Sequence, residues 1–407
     1  MNKLTGNAKT IKIINRSLIL QAIRKHGPVT RTDLVKLTKL TSGTISNLTA
    51  ELLKANIIKE VGTGKSIGGR RPLYLAINSN AWHVVGVNIG NTKVVSVVTD
   101  LEAKVACRVD GKLNRAWDAE QQVAEVCRLI KKAIAESGLP RHSFLGIGVG
   151  VPGFVNTKAG KAVFSPNLGW KDLPVRELIQ ARVGLPVLLE NSVRLGTLGE
   201  KWWGKGQGKE NVITMYIGTR VGAGLILGDK LYRGTDEAAG EIGHIMVADT
   251  GQRCSCGKYG CLEAVASGPA IVRHASRLIQ QGVSTKLIDM CQGDLNAITG
   301  EMIDQAAWEG DEVAREVLTQ AGRYLGQGIA ILATLFNPDI IILNGGVSNA
   351  HPILLPVIRE VTEKQLLVPV KVEVSELGDM AGPLGGAALV IEGLFTISGI
   401  EWVTPIS

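Results

Sequence analysis

Three of the six cysteines lie close together in the segment EIGHIMVADTGQRCSCGKYGCLE, residues 241–263. Cys254, Cys256 and Cys261 follow His244, the first of them by ten positions. Three thiolates and one imidazole are the ligand set of a closed, tetrahedral, structural zinc site. The spacing therefore predicts bound zinc, held by these four residues. The alternative is a reduced cysteine cluster that packs as small apolar side chains.

The two ends of this segment also carry a family signature. GEIGH at 240–244 followed by CSCGKYGCLE at 254–263 resembles the signature of the ROK family, which contains sugar kinases and sugar-responsive repressors. The resemblance extends over essentially the whole chain. It implies that the zinc braces a sugar pocket and that Glu241, His244 and Glu263 contact the sugar.

Two asparagines match further sugar-binding positions of the family, Asn167 in FSPNLGW and Asn191 after Glu190. Amides and carboxylates hydrogen-bond to hydroxyls, and a buried site of this kind rejects ligands that leave its polar groups unpaired. Each asparagine also has an ordinary alternative, since Asn167 suits a turn and Asn191 suits a helix cap. With the zinc motif, the resemblance implies a sugar-binding set of Asn167, Asn191, Glu241, His244 and Glu263.

The positions that the family's kinases use for phosphoryl transfer are altered in this chain. Their Asp-x-Gly-x-Thr segment reads NIGNT at 88–92, and Asn88 has no negative charge to attract hydrated Mg²⁺. Their catalytic Asp is replaced by Ser192, a poor general base at neutral pH. Arg220 puts a bulky cation into the glycine-rich phosphate loop, where it could instead hold a phosphate. We therefore expect no enzyme activity and neither ATP nor Mg²⁺; the alternative is an active ATP-dependent sugar kinase with an added DNA-binding head.

Basic charge is concentrated in the first part of the chain. Residues 1–82 hold 14 of the 45 Lys and Arg residues but only 3 of the 37 Asp and Glu residues. The remainder of the chain therefore has 31 basic and 34 acidic residues. A basic segment on a slightly acidic body is typical of a nucleic-acid-binding domain fused to a second module. The alternatives are a basic surface that serves solubility and a contact with an acidic protein. A composition of 45% apolar and 20% charged residues is that of a globular protein.

Residues 1–80 predict a winged helix-turn-helix. Helical apolar spacing indicates a first helix that stops at Gly27-Pro28, a capped second helix after Thr30, and a third that starts at Ser42. The short turn between the last two helices matches a helix-turn-helix motif. The start of such a recognition helix reaches base edges in the major groove. The predicted DNA-binding residues there are Ser42, Gly43, Thr44, Ser46 and Asn47.

A basic loop between two strand-like runs, 57–61 and 73–77, completes the predicted wing. Its Arg70 and Arg71 suit a narrow minor groove, where arginine is electrostatically favoured. The alternatives are a domain linker whose arginines are solvated and a winged helix that binds another protein.

The body of the chain contains a repeat. Residues 83–111 and 211–234 each indicate three strands joined by short turns, and helical segments follow each copy, which predicts a duplicated α/β body. The resemblance adds an actin-like, ribonuclease H-like fold of two lobes with ligands in the cleft between them. The expected domains are a winged helix-turn-helix at 1–80, a first lobe at 81–190 plus 383–407, and a second lobe with the zinc site at 191–382.

Together these features predict a transcriptional regulator, in a repressive mode, of carbohydrate-utilisation genes such as those for xylose. A sugar or sugar phosphate in the degenerate kinase cleft would control binding to double-stranded operator DNA. The expected assembly is a homodimer or homotetramer, and a regulatory protein partner stays open. The start of the chain has no signal-peptide pattern and the apolar run 329–336 is too short to span a bilayer, so we expect a cytoplasmic protein without membrane insertion.

Overall fold

The computed structural model describes residues 8–63, 73–249 and 253–394. The fold is mixed α/β, as the sequence predicts, with helices packed around four β-sheets in the described ranges. Contacts between Cα atoms divide the chain into a first unit, Met1–Glu190 with Pro383–Ser407, and a second unit, Asn191–Gly382. The division into three domains stays a prediction.

The described part of the first unit begins with three helices and a small antiparallel sheet. These elements are α1 (Ala8–His26), β1 (Val29–Thr30), α2 (Arg31–Thr38), α3 (Ser42–Lys54), β2 (Ile58–Thr63) and β3 (Leu73–Ile77). The sheet order is β1-β3-β2. Thr30 and Asp33 form the capping box at the start of α2, and Thr41 accepts a hydrogen bond at the start of α3. Ile19, Leu34 and Ile45 are fully buried, so the three helices share one small core.

The remainder of the first unit is built on a five-stranded sheet. Its elements are β4 (His83–Ile89), β5 (Lys93–Asp100), β6 (Val105–Lys112), α4 (Ala119–Glu136), β7 (Phe144–Val151), β8 (Phe154–Asn156), β9 (Lys161–Ser165), β10 (Trp170–Leu173), α5 (Val175–Val183) and β11 (Val187–Asn191). The strand order is β11-β7-β4-β5-β6, in which β4 pairs antiparallel with β5 and parallel with β7. Strands β8, β9 and β10 form a separate antiparallel sheet.

The second unit repeats this strand arrangement. Its elements are α6 (Ser192–Trp203), β12 (Val212–Ile217), β13 (Val221–Leu227), β14 (Lys230–Tyr232), α7 (Leu262–Ala266), α8 (Gly268–Gln280), α9 (Leu287–Met290), α10 (Gly300–Trp308), α11 (Glu312–Phe336), β15 (Ile340–Asn344), α12 (His351–Gln365) and β16 (Val372–Val374). The strand order is β14-β13-β12-β15-β16, with β12 antiparallel to β13 and parallel to β15. Read from its other edge, this sheet is β16-β15-β12-β13-β14, which corresponds strand by strand to β11-β7-β4-β5-β6 of the first unit. The strand repeat predicted from the sequence is therefore confirmed.

The final helix, α13 (Ala381–Leu394), returns the chain to the first unit. It packs so closely on β4 and β7 that only glycine fits at two strand positions. A Cβ atom on Gly86 would lie 1.8 Å from the Pro383 carbonyl oxygen, and one on Gly148 would lie 2.0 Å from the Gly386 carbonyl oxygen. Backbone against backbone is therefore the contact that seats the last helix.

In the part of the chain that the structure describes, no helix is both long enough and apolar enough to cross a membrane.

Substitution of Gly148 by alanine should destabilise the first unit by at least about 2 kcal/mol, because the added methyl group meets a backbone carbonyl that cannot rotate away. Urea unfolding of the full chain measures this effect. Gly196→Ala in α6 is the matched control, since nothing lies within 4 Å of its Cβ position and alanine favours a helix. Equal stability of the two variants would contradict the close packing of α13.

Candidate metal centre and ligand-binding residues

The structure brings the four predicted metal ligands together. The ligand atoms of His244, Cys254, Cys256 and Cys261 all lie within 4.8 Å of one another. The Sγ atoms of Cys256 and Cys261 are 3.7 Å apart, and His244 Nδ1 is 3.5 Å from Cys254 Sγ. Tetrahedral zinc with Zn–S bonds of about 2.3 Å places its sulfur ligands about 3.8 Å apart. The donor set and its spacing therefore fit a zinc ion.

The loop around the cluster is held by its own backbone. The Cys254 N–H donates to the Lys258 carbonyl at 2.7 Å, and the Gly257 N–H donates back to the Cys254 carbonyl at 2.9 Å. Gly257 and Gly260 have φ of 89° and 69°, in the left-handed region that favours glycine. These turns direct three sulfurs toward one point.

The thiols of this loop differ in their acidity. A backbone hydrogen bond from Lys258 lowers the pKa of Cys256, which is exposed. Burial, together with the neighbouring thiols, raises the pKa of Cys261 to about 12. Three thiolates this close repel one another, and a divalent cation would offset that repulsion.

The two ring nitrogens of His244 face different groups. Nδ1 points toward the sulfur cluster, whereas Nε2 is 3.9 Å from a carboxylate oxygen of Glu241. Burial raises the pKa of Glu241, and the nearby His244, Arg194 and Arg220 oppose that effect. A metal on Nδ1 would therefore fix the imidazole edge that faces Glu241. This geometry accommodates the two predicted roles of His244, metal ligand and ligand-binding residue.

Glu263, another predicted sugar-binding residue, connects two loops. Its Oε1 accepts from the Ser255 hydroxyl at 3.0 Å, and its Oε2 accepts from the Val221 N–H at 3.3 Å. The residue is only 7% exposed. Glu263 thus ties the cysteine loop to the glycine-rich turn between β12 and β13.

Asn191 and Arg194 occupy the start of α6. The Asn191 Oδ1 accepts from the backbone N–H groups of Val193 and Arg194, at 2.9 and 3.1 Å, and so caps the helix. The Arg194 guanidinium is buried; its Nη1 donates to the Glu237 carbonyl at 2.7 Å, and its Nη2 is 4.0 Å from the Glu237 carboxylate. Arg194 therefore fixes the loop that leads into Glu241. The sequence did not indicate this contact.

Asn167 lies in the first unit, whereas the other four predicted sugar-binding residues lie in the second. It follows β9 in the turn to β10, and its Nδ2 donates to the Oδ1 of Asn91 at 2.9 Å. Asn88 and Ser165, at the ends of the strands before the two turns, each have a buried side-chain oxygen without a hydrogen-bond partner among the described residues. The turns around Asn91 and Asn167 thus form an amide-lined corner of the first unit, which the sequence did not indicate.

The three residues that the resemblance assigns to phosphoryl-transfer positions of kinases are distributed over both units. Asn88 lies in β4, Ser192 is the first residue of α6, and Arg220 occupies the turn before β13. The Arg220 carbonyl accepts from the Gly218 N–H at 2.9 Å, which closes the turn between β12 and β13. A Cβ on Gly218 would lie 2.8 Å from the Tyr216 ring, so that ring covers one side of the loop.

The predicted DNA-binding residues of the third helix occupy the first two turns of α3. Ser42, Gly43, Ser46 and Asn47 are exposed. Thr44 is half-buried, and its hydroxyl lies 2.9 Å from that of Thr41, so it also contributes to the helix cap. The two predicted wing residues, Arg70 and Arg71, lie outside the described residues.

The chain is similar to characterised proteins along nearly all of its length. A family model described as ROK family matches residues 84–393. The xylose repressor of Caldicellulosiruptor bescii is 34% identical over 395 residues, which cover 96% of this chain and 98% of that protein.

Two solved structures share the fold. The first is a ROK family transcriptional regulator described as a homolog of the E. coli MLC protein, with a TM-score of 0.83 and 31% identity over 97% of this chain and 99% of that one. The second is a ROK family glucokinase from Streptomyces griseus, solved with glucose and AMPPNP, with a TM-score of 0.68 and 34% identity. That match covers 75% of this chain and 98% of the glucokinase.

Substitution of Cys254 by serine should reduce retained zinc at least about tenfold and lower thermal stability, because one thiolate ligand of a closed site is lost. Elemental analysis and thermal unfolding of the purified protein measure both effects. Cys107→Ser in β6 is the matched control, because Cys107 is distant in sequence and outside the cluster. Full zinc content in Cys254→Ser, or no zinc in the unmodified protein, would contradict the metal site.

Substitution of Arg194 by methionine should destabilise the second unit by about 3 kcal/mol, because the carbonyl and carboxylate of Glu237 lose their buried cation. It should also speed tryptic cleavage after Arg233, since the loop to Gly240 loses its anchor on α6. Arg182→Met is the control, because its partner Glu120 is 82% exposed and such pairs contribute little. Similar behaviour of the two variants would argue against the anchoring role of Arg194.

Proposed function

Because the chain belongs to the ROK family, we propose that it is a DNA-binding transcriptional repressor of carbohydrate-utilisation genes, controlled by a sugar or sugar phosphate. One observation carries the proposal. The family model begins at residue 84 and the glucokinase match covers 75% of this chain, whereas the regulator and the xylose repressor match 97% and 96% of it. The similarity to regulators therefore includes the basic N-terminal segment.

We assign operator binding to a winged helix-turn-helix at residues 1–80. The support is the excess of basic over acidic residues in this segment, together with three helices, of which α2 and α3 are capped, and the β1-β3-β2 sheet. Ser42, Gly43, Ser46 and Asn47 present exposed positions at the start of α3, where a recognition helix contacts bases. Thr44 and the wing residues Arg70 and Arg71 complete the proposed DNA-binding set.

We propose that residues 81–190 plus 383–407 and residues 191–382 form two actin-like lobes, which carry the residues of the effector site. Its sugar-binding residues are Asn167, Asn191, Glu241, His244 and Glu263. The support is a set of hydrogen-bonding side chains held by polar contacts: Asn167 by Asn91, Glu263 by Val221 and Ser255, and His244 beside Glu241. Such preorganised amides and carboxylates suit a polyhydroxylated ligand.

Zinc on His244, Cys254, Cys256 and Cys261 has a structural role in this proposal. When bound, it would supply positive charge that holds three thiolates in one loop. We assign no phosphoryl transfer to the chain, because Asn88 and Ser192 offer neither a carboxylate for Mg²⁺ nor a general base. ATP and Mg²⁺ therefore have no part in the proposed mechanism.

Control of repression requires a ligand that binds two states of the protein with different affinity, because equal affinity shifts no equilibrium. We propose that the sugar favours a state of the homodimer or homotetramer in which the DNA-binding segments no longer match the operator. A two-fold dimer predicts half-sites about 34 Å apart, or a multiple of that spacing. The alternative regulator is a protein partner that acts in place of the sugar. We also propose a cytoplasmic location.

The purified chain should enrich a palindromic site from genomic DNA at physiological salt, and one sugar or sugar phosphate should release it. Asn47→Ala should weaken binding to that site by about 1–3 kcal/mol while leaving binding to bulk DNA nearly unchanged, because base contacts and not phosphate contacts are lost.

Gln320→Ala in α11 is the control for this experiment, since Gln320 is polar and lies in the second unit. No enrichment over bulk DNA would refute the operator-binding proposal. Sugar-dependent ATP turnover by the same preparation would instead support an active kinase.

A further inference from the structure

Two turns of the first unit meet through their asparagine side chains. Asn91 lies in the turn between β4 and β5, which the Gly90 N–H closes by donating to the Lys93 carbonyl at 2.8 Å. Asn167 lies in the turn between β9 and β10, which the Leu168 N–H closes by donating to the Ser165 carbonyl at 3.1 Å. The 2.9 Å hydrogen bond from Asn167 Nδ2 to Asn91 Oδ1 therefore joins two backbone segments that are each already fixed.

With Asn91 Oδ1 as the acceptor, this bond selects one of the two orientations of the Asn167 amide. A carboxamide carries a carbonyl acceptor on one side and an N–H₂ donor on the other, and a rotation of 180° exchanges them. Because Asn91 accepts from Nδ2, the opposite edge of Asn167 presents its Oδ1 acceptor. A group that contacts this Oδ1 atom must donate a hydrogen bond, as a hydroxyl does and as a phosphate or carbonyl oxygen does not.

The Asn91 side chain comes from the segment that family kinases use for phosphoryl transfer. It occupies the fourth position of the NIGNT segment at 88–92. Arg115 Nε donates to the Asn91 carbonyl at 3.4 Å and so also holds this backbone. The buried Asn88 Oδ1 and Ser165 Oγ, which have no partner among the described residues, add polar atoms at the ends of the strands before both turns.

We propose that Asn91 is a positioning residue that fixes the acceptor edge of Asn167 and restricts the effector to a ligand with a free hydroxyl donor at that point. The inference rests on the proposed function, because it assigns Asn167 to the effector site. It excludes ligands that present only a phosphate oxygen, an acetamido carbonyl or a carbon-bound hydrogen to the Asn167 Oδ1 atom. Because the Asn167 amide is already ordered, ligand binding loses less side-chain conformational entropy.

The test uses titration calorimetry of the full-length protein with xylose, glucose, N-acetylglucosamine and their phosphate esters, followed by monodeoxy and deoxyfluoro analogues of the probe that binds. Asn91→Leu removes the acceptor and should weaken binding about tenfold. Asn91→Asp retains an acceptor for Asn167 Nδ2 and should bind within about threefold of the unmodified protein. Asn78→Leu is the matched control, because Asn78 Nδ2 donates to Asn56 Oδ1 at 2.7 Å in an exposed amide pair elsewhere in the same unit.

One deoxy analogue should lose about tenfold in affinity for the unmodified protein and less than about threefold for Asn91→Leu. That coupling would assign the missing hydroxyl to Asn167 as oriented by Asn91, which a merely structural role would not produce.

Unmodified affinity of Asn91→Leu would overturn the inference and leave the repressor proposal standing. Equal losses in Asn91→Leu and Asn91→Asp, or failure of both variants to fold while Asn78→Leu folds, would also overturn it. If the unmodified protein binds none of the probes, the proposed class of effector falls and this inference falls with it.

Discussion

His244 is the residue through which the cysteine loop and the carboxylates of the second unit depend on each other. The imidazole ring is rigid, so any atom that fixes Nδ1 beside Cys254 also fixes Nε2 beside Glu241. Three thiolates at this spacing repel one another, and a bound divalent cation would offset that repulsion. The position of the Glu241 side chain therefore depends on the charge balance of the cysteine loop.

The same dependence extends to the loops on either side. Glu263 accepts hydrogen bonds from the cysteine loop and from the β12–β13 turn, while Arg194 holds the segment before Glu241 onto α6. Each of these charged groups is buried, where an unsatisfied charge would cost several kcal/mol. Their stability therefore requires that all the partner loops stay in place together. A ligand that contacts any one of these carboxylates would act on several loops at once.

A shared fold supports two different functions within this family, because function resides in the side chains of the site. The glucokinase and the transcriptional regulator both match this chain, the former over 75% of it and the latter over 97%. At the positions that the resemblance to kinases assigns to phosphoryl transfer, the chain carries Asn88 and Ser192, which supply neither a carboxylate nor a general base, and Arg220, which adds a positive charge. The adjacent Asn91 contacts Asn167, so a segment with no carboxylate for Mg²⁺ still has a physical role in the first unit.

The sequence by itself determined the features that depend on local spacing. It predicted the zinc ligands, because a dense Cys-x-Cys-x4-Cys pattern restricts the loop. It also predicted the repeated strands, the capped helix α2 and the start of α3, because periodicity and the α2 cap are local. Tertiary structure decided which residues meet over long sequence distances. The Asn167–Asn91 contact spans 76 positions, and the contact of Arg194 with Glu237 spans 43, so no local pattern encodes either pair. Gly86 and Gly148 are a further example, because the need for glycine there comes from the backbone of α13, which is distant in sequence.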